Sequence, residues 1–126
     1  MAFKFENLEV WNISLDYLDY VYQLADRLPK EEVYNLLSQW IRAATSISLN
    51  IAEGSTGQSN PEQNRFLGYA IRSVAESAAC FQLTQRRGFI KDYVASKKLE
   101  EQTDKLVRKL QSFRKVLLMN SKATKP

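Results

Sequence analysis

One stretch of this chain combines polar and apolar side chains in a helical pattern: Arg42-Ala43-Ala44-Thr45-Ser46-Ile47-Ser48-Leu49-Asn50-Ile51-Ala52-Glu53-Gly54. At 3.6 residues per turn, four of its polar residues share one side of a helix, namely Arg42, Ser46, Asn50 and Glu53. An adjacent apolar stripe includes Ile47. Because a polar group next to a core needs a hydrogen-bonding partner, we expect a hydrogen-bonded ladder that either fixes helix register or builds a binding surface.

The rest of the chain continues the helical pattern on both sides of this stretch. Apolar residues recur every three or four positions, and only three prolines and four glycines interrupt the 126 residues, which is typical of an all-α protein. The sequence predicts four helices and a disordered tail, at residues 8–28, 31–54, 61–87 and 95–120, followed by 121–126. Since short connections favour antiparallel neighbours, we expect a single domain spanning residues 1–126, folded as an antiparallel up-down-up-down four-helix bundle.

Glycine, proline and amide residues predict where the helices end and begin. Gly54 is expected to end the second helix in the left-handed conformation. Asn60, Pro61 and Gln63 fit the N-cap, the first helical position and the capping box of the third helix. Gly88 is expected to close that helix.

Each predicted helix has an apolar stripe that we expect to be buried. In the first helix the stripe comprises Leu8, Trp11, Leu15, Leu18, Tyr22, Ala25 and Leu28. In the second it comprises Val33, Leu37, Trp40, Ala44, Ile47 and Ile51. In the third it comprises Phe66, Leu67, Ala70, Val74, Phe81 and Thr84, and in the fourth Leu99, Leu106, Leu110, Phe113 and Leu117. The two tryptophans lie on these stripes, so we interpret them as core or subunit-interface anchors.

Composition excludes several kinds of enzyme. The chain has no histidine and one cysteine, Cys80, which rules out histidine triads, imidazole acid–base catalysis and histidine metal sites. Glu53 and Glu76 alone are fewer carboxylates than di-metal bundles supply. We therefore predict a protein that is not an enzyme and has no catalytic residue, cofactor or metal. A lone cysteine, with no N-terminal apolar run, predicts a cytoplasmic protein that does not associate with membranes.

The polar side of the second helix is expected to meet polar residues of the third. Together they form a predicted cluster: Arg42, Ser46, Asn50, Glu53, Ser73 and Glu76. The favoured pair is Arg42 with Glu76. Mutual hydrogen bonding that fixes helix register is the preferred interpretation, and a small polar pocket is the alternative.

Charge is distributed unevenly along the chain. Residues 95–126 contain nine Lys and Arg against three Asp and Glu, whereas residues 1–94 contain nine against eleven. The fourth helix repeats cations near one face and offers candidate phosphate contacts: Lys98, Lys105, Arg108, Lys109 and Lys115. A solubilising exterior without a ligand is the alternative. No aromatic residue interleaves with these cations, so base stacking is not predicted here.

The pattern resembles a known family, the four-helix bundle proteins encoded in intervening sequences of bacterial large-subunit ribosomal RNA genes. The matching residues in the first part of the chain are Leu8, Val10-Trp11, Val21-Tyr22, Leu28-Pro29, Glu32 and Tyr34. Those in the second and third helices are Arg42-Ala43-Ala44, Ser46-Ile47, Asn50-Ile51-Ala52-Glu53-Gly54, Phe66-Leu67, Ala70, Ser73 and Glu76. Two positions depart from the family pattern. Arg72 replaces a usual glycine and Ser77 replaces a frequent leucine. These two changes predict less close packing of the third helix at those positions.

The resemblance implies a homopentameric ring of bundles. It extends to the accessory protein of diversity-generating retroelements, a basic pentameric barrel that binds nucleic acid and a reverse transcriptase. We therefore predict a non-enzymatic oligomer that binds RNA or DNA backbone through its basic surface. A protein–protein scaffold or accessory subunit without nucleic-acid binding is the alternative. The expected partners are other copies of the chain, RNA or DNA, and a protein.

Overall fold

A computed structural model describes residues 2–57 and 59–124, with side chains described up to residue 120. Within these residues the fold is all-α, without a strand, as predicted. The helices are α1 (Glu9–Ala25), α2 (Leu36–Ser55), α3 (Asn60–Arg86) and α4 (Tyr93–Thr124). Short 3-10 turns at Lys4–Asn7 and Lys30–Glu32 precede α1 and α2.

The four helices surround one core. α2 packs most extensively on α3, α3 packs on α4, and α1 packs on both α2 and α4. The largest fully buried side chains are Trp40, Tyr17, Ile47, Ile51, Leu67, Leu99, Leu106 and Leu110. Within the described residues, no helix has the length and apolar content needed to cross a membrane.

The buried side of α1 differs from the predicted stripe. Tyr17, Val21 and Leu24 are buried, whereas Tyr22 is exposed and Trp11, Leu15 and Leu18 are only partly buried. The reason is that α1 packs against both α2 and α4. The buried side of α1 is therefore wider than the predicted stripe, and Tyr17 lies at its centre. The predicted stripe was therefore displaced by about one position.

The start of α2 also differs from the prediction. The helix begins at Leu36 and not at residue 31, because Lys30–Glu32 forms a 3-10 turn and the chain bends through residues 33–35. Val33 and Tyr34 are exposed, so the predicted burial of Val33 was wrong. β-branched and aromatic residues are weaker helix formers, and asparagine at position 35 favours the site just before a helix.

One glycine ends a helix, and another lies inside a helix. Gly88 has φ 75° and is the one positive-φ residue in the described chain; Phe89 N donates to Thr84 O and Gly88 N to Gln85 O, which is the expected Schellman end of α3. Gly54 was wrongly predicted to take this conformation. It lies inside α2, which continues to Ser55.

Two further helix ends differ from those predicted. The N-cap of α3 is Ser59, whose Oγ accepts from Glu62 N at 3.2 Å, and Asn60 is the first helical residue. The fourth helix is bounded by Tyr93 and Thr124, whereas its predicted end is residue 120; the disorder of residues 121–126 stays a prediction. No glycine or proline interrupts the sequence between Gly88 and Pro126. Lys125 and Pro126, the rest of the predicted tail, lie outside the described residues.

Candidate functional site

A glycine allows α2 and α3 to approach closely beside the polar cluster. Gly54 is buried, and a Cβ atom at this position would lie 2.7 Å from Cβ of Phe66 on α3. Real Cβ atoms do not approach this closely, because interiors are packed to van der Waals contact. Gly54 is therefore required for packing and not for a turn.

Three members of the cluster form a hydrogen-bonded chain between the two helices. Asn50 Nδ2 donates to Ser46 O at 2.9 Å and to Ser46 Oγ at 3.0 Å. Ser73 Oγ donates to Ser46 Oγ at 3.0 Å across the α2–α3 interface. Ser73 is buried and the other two are half-buried, so these bonds satisfy polar groups at the margin of the core.

The charged members of the cluster face solvent. Arg42, Glu53 and Glu76 are exposed, and the ion pairs of the described residues do not include Arg42 with Glu76. The predicted pairing was therefore wrong. Exposed pairs gain little energy in water and restrict two long side chains, which explains why proximity alone does not join them.

All members of the cluster except Glu53 line a shallow groove between α2 and α3. One part, of about 500 Å³, is lined by Ser46, Asn50, Tyr69, Arg72, Ser73 and Glu76. The adjoining part, of about 490 Å³, is lined by Gln39, Arg42, Ala43, Ser46 and Glu76. The groove mixes both signs of charge. Within the described residues no set of three or more His, Cys, Asp or Glu side chains is placed to hold a metal ion.

A second polar network lies deeper, and sequence reasoning missed it. Ser77 shares a 2.7 Å hydrogen bond with the hydroxyl of Tyr17 and accepts from Trp40 Nε1 at 3.2 Å. All three residues are fully buried. Burial raises the pKa of the Tyr17 phenol above its usual value, and the hydrogen bond to Ser77 opposes this shift only in part. Ser77, the departure from the family pattern, thus joins α1, α2 and α3 through polar contacts.

Cys80 is a buried free thiol on α3. Burial raises the pKa of this thiol, and the charge of Glu76 raises it further. A raised pKa keeps the neutral form, which is the poorer nucleophile. Cys80 therefore serves as a packed core residue.

Most of the cations of α4 that are predicted to contact phosphates are exposed to solvent. Lys98, Lys105, Arg108 and Lys115 are exposed. Lys105, Arg108 and Lys115 are spaced three and seven residues apart, which places them on one side of the helix. Glu101 is exposed one turn before Lys105, so the face is predominantly but not uniformly basic.

Two of the lysines that are predicted to contact phosphates contact other side chains of the protein. Lys109 is half-buried, and its Nζ lies 3.0 Å from Glu9 Oε1 on α1. Lys98 Nζ lies 5.3 Å from the centre of the Tyr20 ring, within the range of a cation–π contact. Lys109 thus ties α4 to α1, and Lys98 lies at the edge of the basic face.

Arg114 has a structural role that the sequence did not reveal. Its Nε donates to Asn64 Oδ1 on α3 at 2.9 Å. Its Cζ lies 3.4 Å from the position that a Cβ on Gly68 would occupy. The guanidinium of Arg114 therefore packs over Gly68 on α3, and the Arg114 side chain is half-buried.

Comparisons with known proteins identify the fold family. A family model described as 23S rRNA-intervening sequence protein matches residues 6–112. The chain belongs to this family. A crystal structure of a protein of unknown function from the S23 ribosomal protein family of Bacteroides thetaiotaomicron has a similar fold, with a TM-score of 0.60 and 22% identity. The match covers 87% of this chain and 95% of that chain. No curated protein matches the chain.

Family membership agrees with the resemblance predicted from the sequence. The matched region includes the polar cluster, the Ser77 network and nearly all of the basic face, since it ends at residue 112. Lys115 therefore lies outside the matched region.

Proposed function

We propose that this protein is a non-enzymatic oligomer that binds the RNA or DNA backbone through the exposed face of α4. The observation that supports this proposal is the set of exposed cations Lys105, Arg108 and Lys115 on one helix side. None of the three takes part in an ion pair among the described residues. Unpaired surface cations attract phosphates without loss of an internal partner.

The physical basis is release of counterions from nucleic acid. Each cation that neutralises a phosphate displaces bound counterions, so affinity falls as salt rises. Phosphate contacts position a protein but do not read sequence. Binding through α4 is therefore nonspecific in sequence and strongly dependent on salt.

The proposed assembly is a homopentameric ring of up-down-up-down bundles, as the family resemblance implies. The packing of each helix on its neighbours in chain order, with α1 against α4, supports the up-down direction. A ring repeats each basic face around its circumference, which extends the positive surface. The cytoplasm is the proposed location, because the lone cysteine has no disulfide partner in the chain.

A protein–protein scaffold is the second candidate function. Near the end of α4, Val116, Leu118 and Met119 are 45–60% exposed. Val116 and Met119 are three residues apart and share one side of the helix, and exposed apolar patches mark protein or membrane interaction sites. This observation favours a protein contact at the end of α4 beyond the basic face.

The test is a fluorescence-anisotropy titration of an RNA hairpin, a single-stranded DNA and a duplex DNA. The variant Lys105→Glu, Arg108→Glu, Lys115→Glu is compared with a charge-matched variant of α2 and α3, Arg42→Glu, Arg65→Glu, Arg72→Glu. We expect about 10- to 100-fold weaker binding for the α4 variant and a smaller loss for its control. Light scattering establishes that both variants keep the mass of the wild type.

Two results would reject the proposal. The first is no binding by the wild-type protein at low salt. The second is an equal loss for both variants, which would mean that net charge and not the α4 face determines affinity. Retained capture of a protein partner by the α4 variant would favour the scaffold function.

A further inference from the structure

A cleft at the end of the bundle lies apart from the basic face of α4. It opens where α2 begins and α3 ends, and its volume is about 410 Å³. This volume falls within the range of about 300–1,000 Å³ that small-molecule sites occupy. Three apolar side chains line the cleft: Leu36, Leu83 and Phe89. They offer a surface on which a flat ring can lie.

The polar lining of the cleft offers groups that can hydrogen-bond to the edge of a nucleobase. Asn35 Nδ2 donates to Glu32 Oε1 at 3.1 Å, and both residues line the cleft with Gln39. The carbonyl oxygen of Asn35 and the second carboxylate oxygen of Glu32 have lone pairs for further donors. Amides pair with adenine, and a carboxylate accepts from the cytosine amino group.

One cation lines the cleft, the exposed Arg87. Of the nearby carboxylates, Asp92 is already paired with Arg27 at 3.1 Å. Arg87 can therefore bind a phosphate while Glu32 faces the base.

Two tyrosines at this end of the bundle are unusually exposed. Tyr34 is 97% exposed and precedes Asn35 of the cleft, and Tyr93 is 75% exposed at the start of α4. The ion pair between Arg27 and Asp92 joins the connection between α1 and α2 to the connection between α3 and α4. Exposed aromatic rings beside cations are the features of single-strand binding surfaces, since every base has a face on which to stack.

We propose that this cleft binds an unpaired nucleotide of RNA or DNA. The base lies on the apolar floor, its edge meets Asn35 and Gln39, its phosphate meets Arg87, and Tyr34 stacks on the base or its neighbour. The inference rests on the proposed function in taking nucleic acid as the ligand. It adds that the nucleic acid is single-stranded at the cleft, because a paired base cannot enter.

The experiment compares a labelled 12-nucleotide single-stranded RNA with the same strand annealed to its complement. Arg87→Gln and Tyr34→Leu are expected to weaken single-strand binding by about 5- to 50-fold, in keeping with the energy of one stacked base. Duplex affinity is expected to change less than about twofold, because the α4 contacts remain.

Matched variants separate the cleft from its surroundings. Arg86→Gln removes the same charge one residue away from the cleft lining, and Tyr34→Phe keeps the aromatic ring. Both are expected to bind single strands as the wild type does. Melting temperatures measured by circular dichroism establish that all four variants remain folded.

The possible failures are distinct. Unchanged single-strand affinity in Arg87→Gln and Tyr34→Leu would overturn the cleft proposal and leave the α4 proposal standing. No binding of either RNA form by the wild type would overturn both. Unchanged RNA binding together with loss of a protein partner in these variants would assign the cleft to that protein, and would also overturn the proposal.

Discussion

At the scale of single residues, Ser77 is the most informative side chain. It accepts from Trp40 Nε1 and bonds to the Tyr17 hydroxyl inside the core. A small hydroxyl residue here leaves room for two large aromatic rings and also satisfies their polar atoms. The departure from the family pattern is thus matched to its neighbours and does not weaken packing.

The variant Ser77→Ala is expected to destabilise the protein by about 2 kcal/mol, because it leaves buried polar groups without their partner. Urea unfolding followed by circular dichroism measures the change. The double variant with Tyr17→Phe is expected to lose less than the sum of the single variants, because Tyr17→Phe removes one of the stranded groups. Additive losses would contradict the proposed hydrogen bond.

The sequence predicted polar residues between α2 and α3 but not their pairing. Ser46, Asn50 and Ser73 do meet, since helical spacing places them on facing sides. Arg42 and Glu76 do not pair, because long exposed side chains are governed by solvent and not by spacing. The Ser77 network could not be inferred, since its members lie on three different helices. Tyr17 reaches Ser77 only if α1 is rotated about its axis as the structure shows, and the apolar pattern does not define that rotation.

At the scale of the helices, two glycines are expected to respond oppositely to alanine. Gly54→Ala places a Cβ 2.7 Å from Phe66 Cβ and is expected to cost about 1–3 kcal/mol through overpacking. Gly68→Ala places a Cβ 3.4 Å from the flexible end of Arg114 and is expected to gain about 0.5–1 kcal/mol from helix propensity. Thermal unfolding of both variants provides the test. Equal effects of the same sign would contradict the described packing.

The start of α4 is expected to make stability depend on pH. Asp92 Oδ1 accepts from Ala95 N at 3.0 Å. This hydrogen bond and then the bond from Arg27 lower the pKa of Asp92 below its usual value. A lowered folded-state pKa contributes stability that is complete above the unfolded-state pKa of about 4 and is lost as the pH falls through the folded-state value.

The matched variant Asp92→Asn keeps a capping side chain but removes the charge. We expect the wild type to melt at a higher temperature than this variant at pH 7, and the difference to vanish below the carboxylate range. Thermal melts at a series of pH values measure it. A difference that is constant with pH would show that the charge of Asp92 contributes nothing.

Helix type was predictable from the sequence and helix ends were less so. The Schellman end at Gly88 follows from a local rule, since only glycine takes its positive φ without strain. Gly54 shows the limit of that rule, because its neighbour is Phe66 on another helix. The start of α2 shows a second limit, because Val33, Tyr34 and Asn35 are weaker helix formers and form a turn before Leu36.

At the scale of the whole molecule, charge and assembly together determine the proposed binding surface. Light scattering is expected to give about 72 kDa, five copies of the 14.5 kDa chain, for the proposed ring. A mass of one chain at micromolar concentration would contradict the ring, while binding through α4 could still be measured on the monomer.

The most direct test of the central claim is the salt dependence of RNA binding. We expect the logarithm of the association constant to fall linearly with the logarithm of salt concentration, and the slope to become shallower by about 0.7–0.9 for each α4 cation removed from phosphate contact. The variant Lys105→Glu, Arg108→Glu, Lys115→Glu should therefore show a clearly shallower slope than the wild type. An unchanged slope would show that α4 does not contact the phosphates.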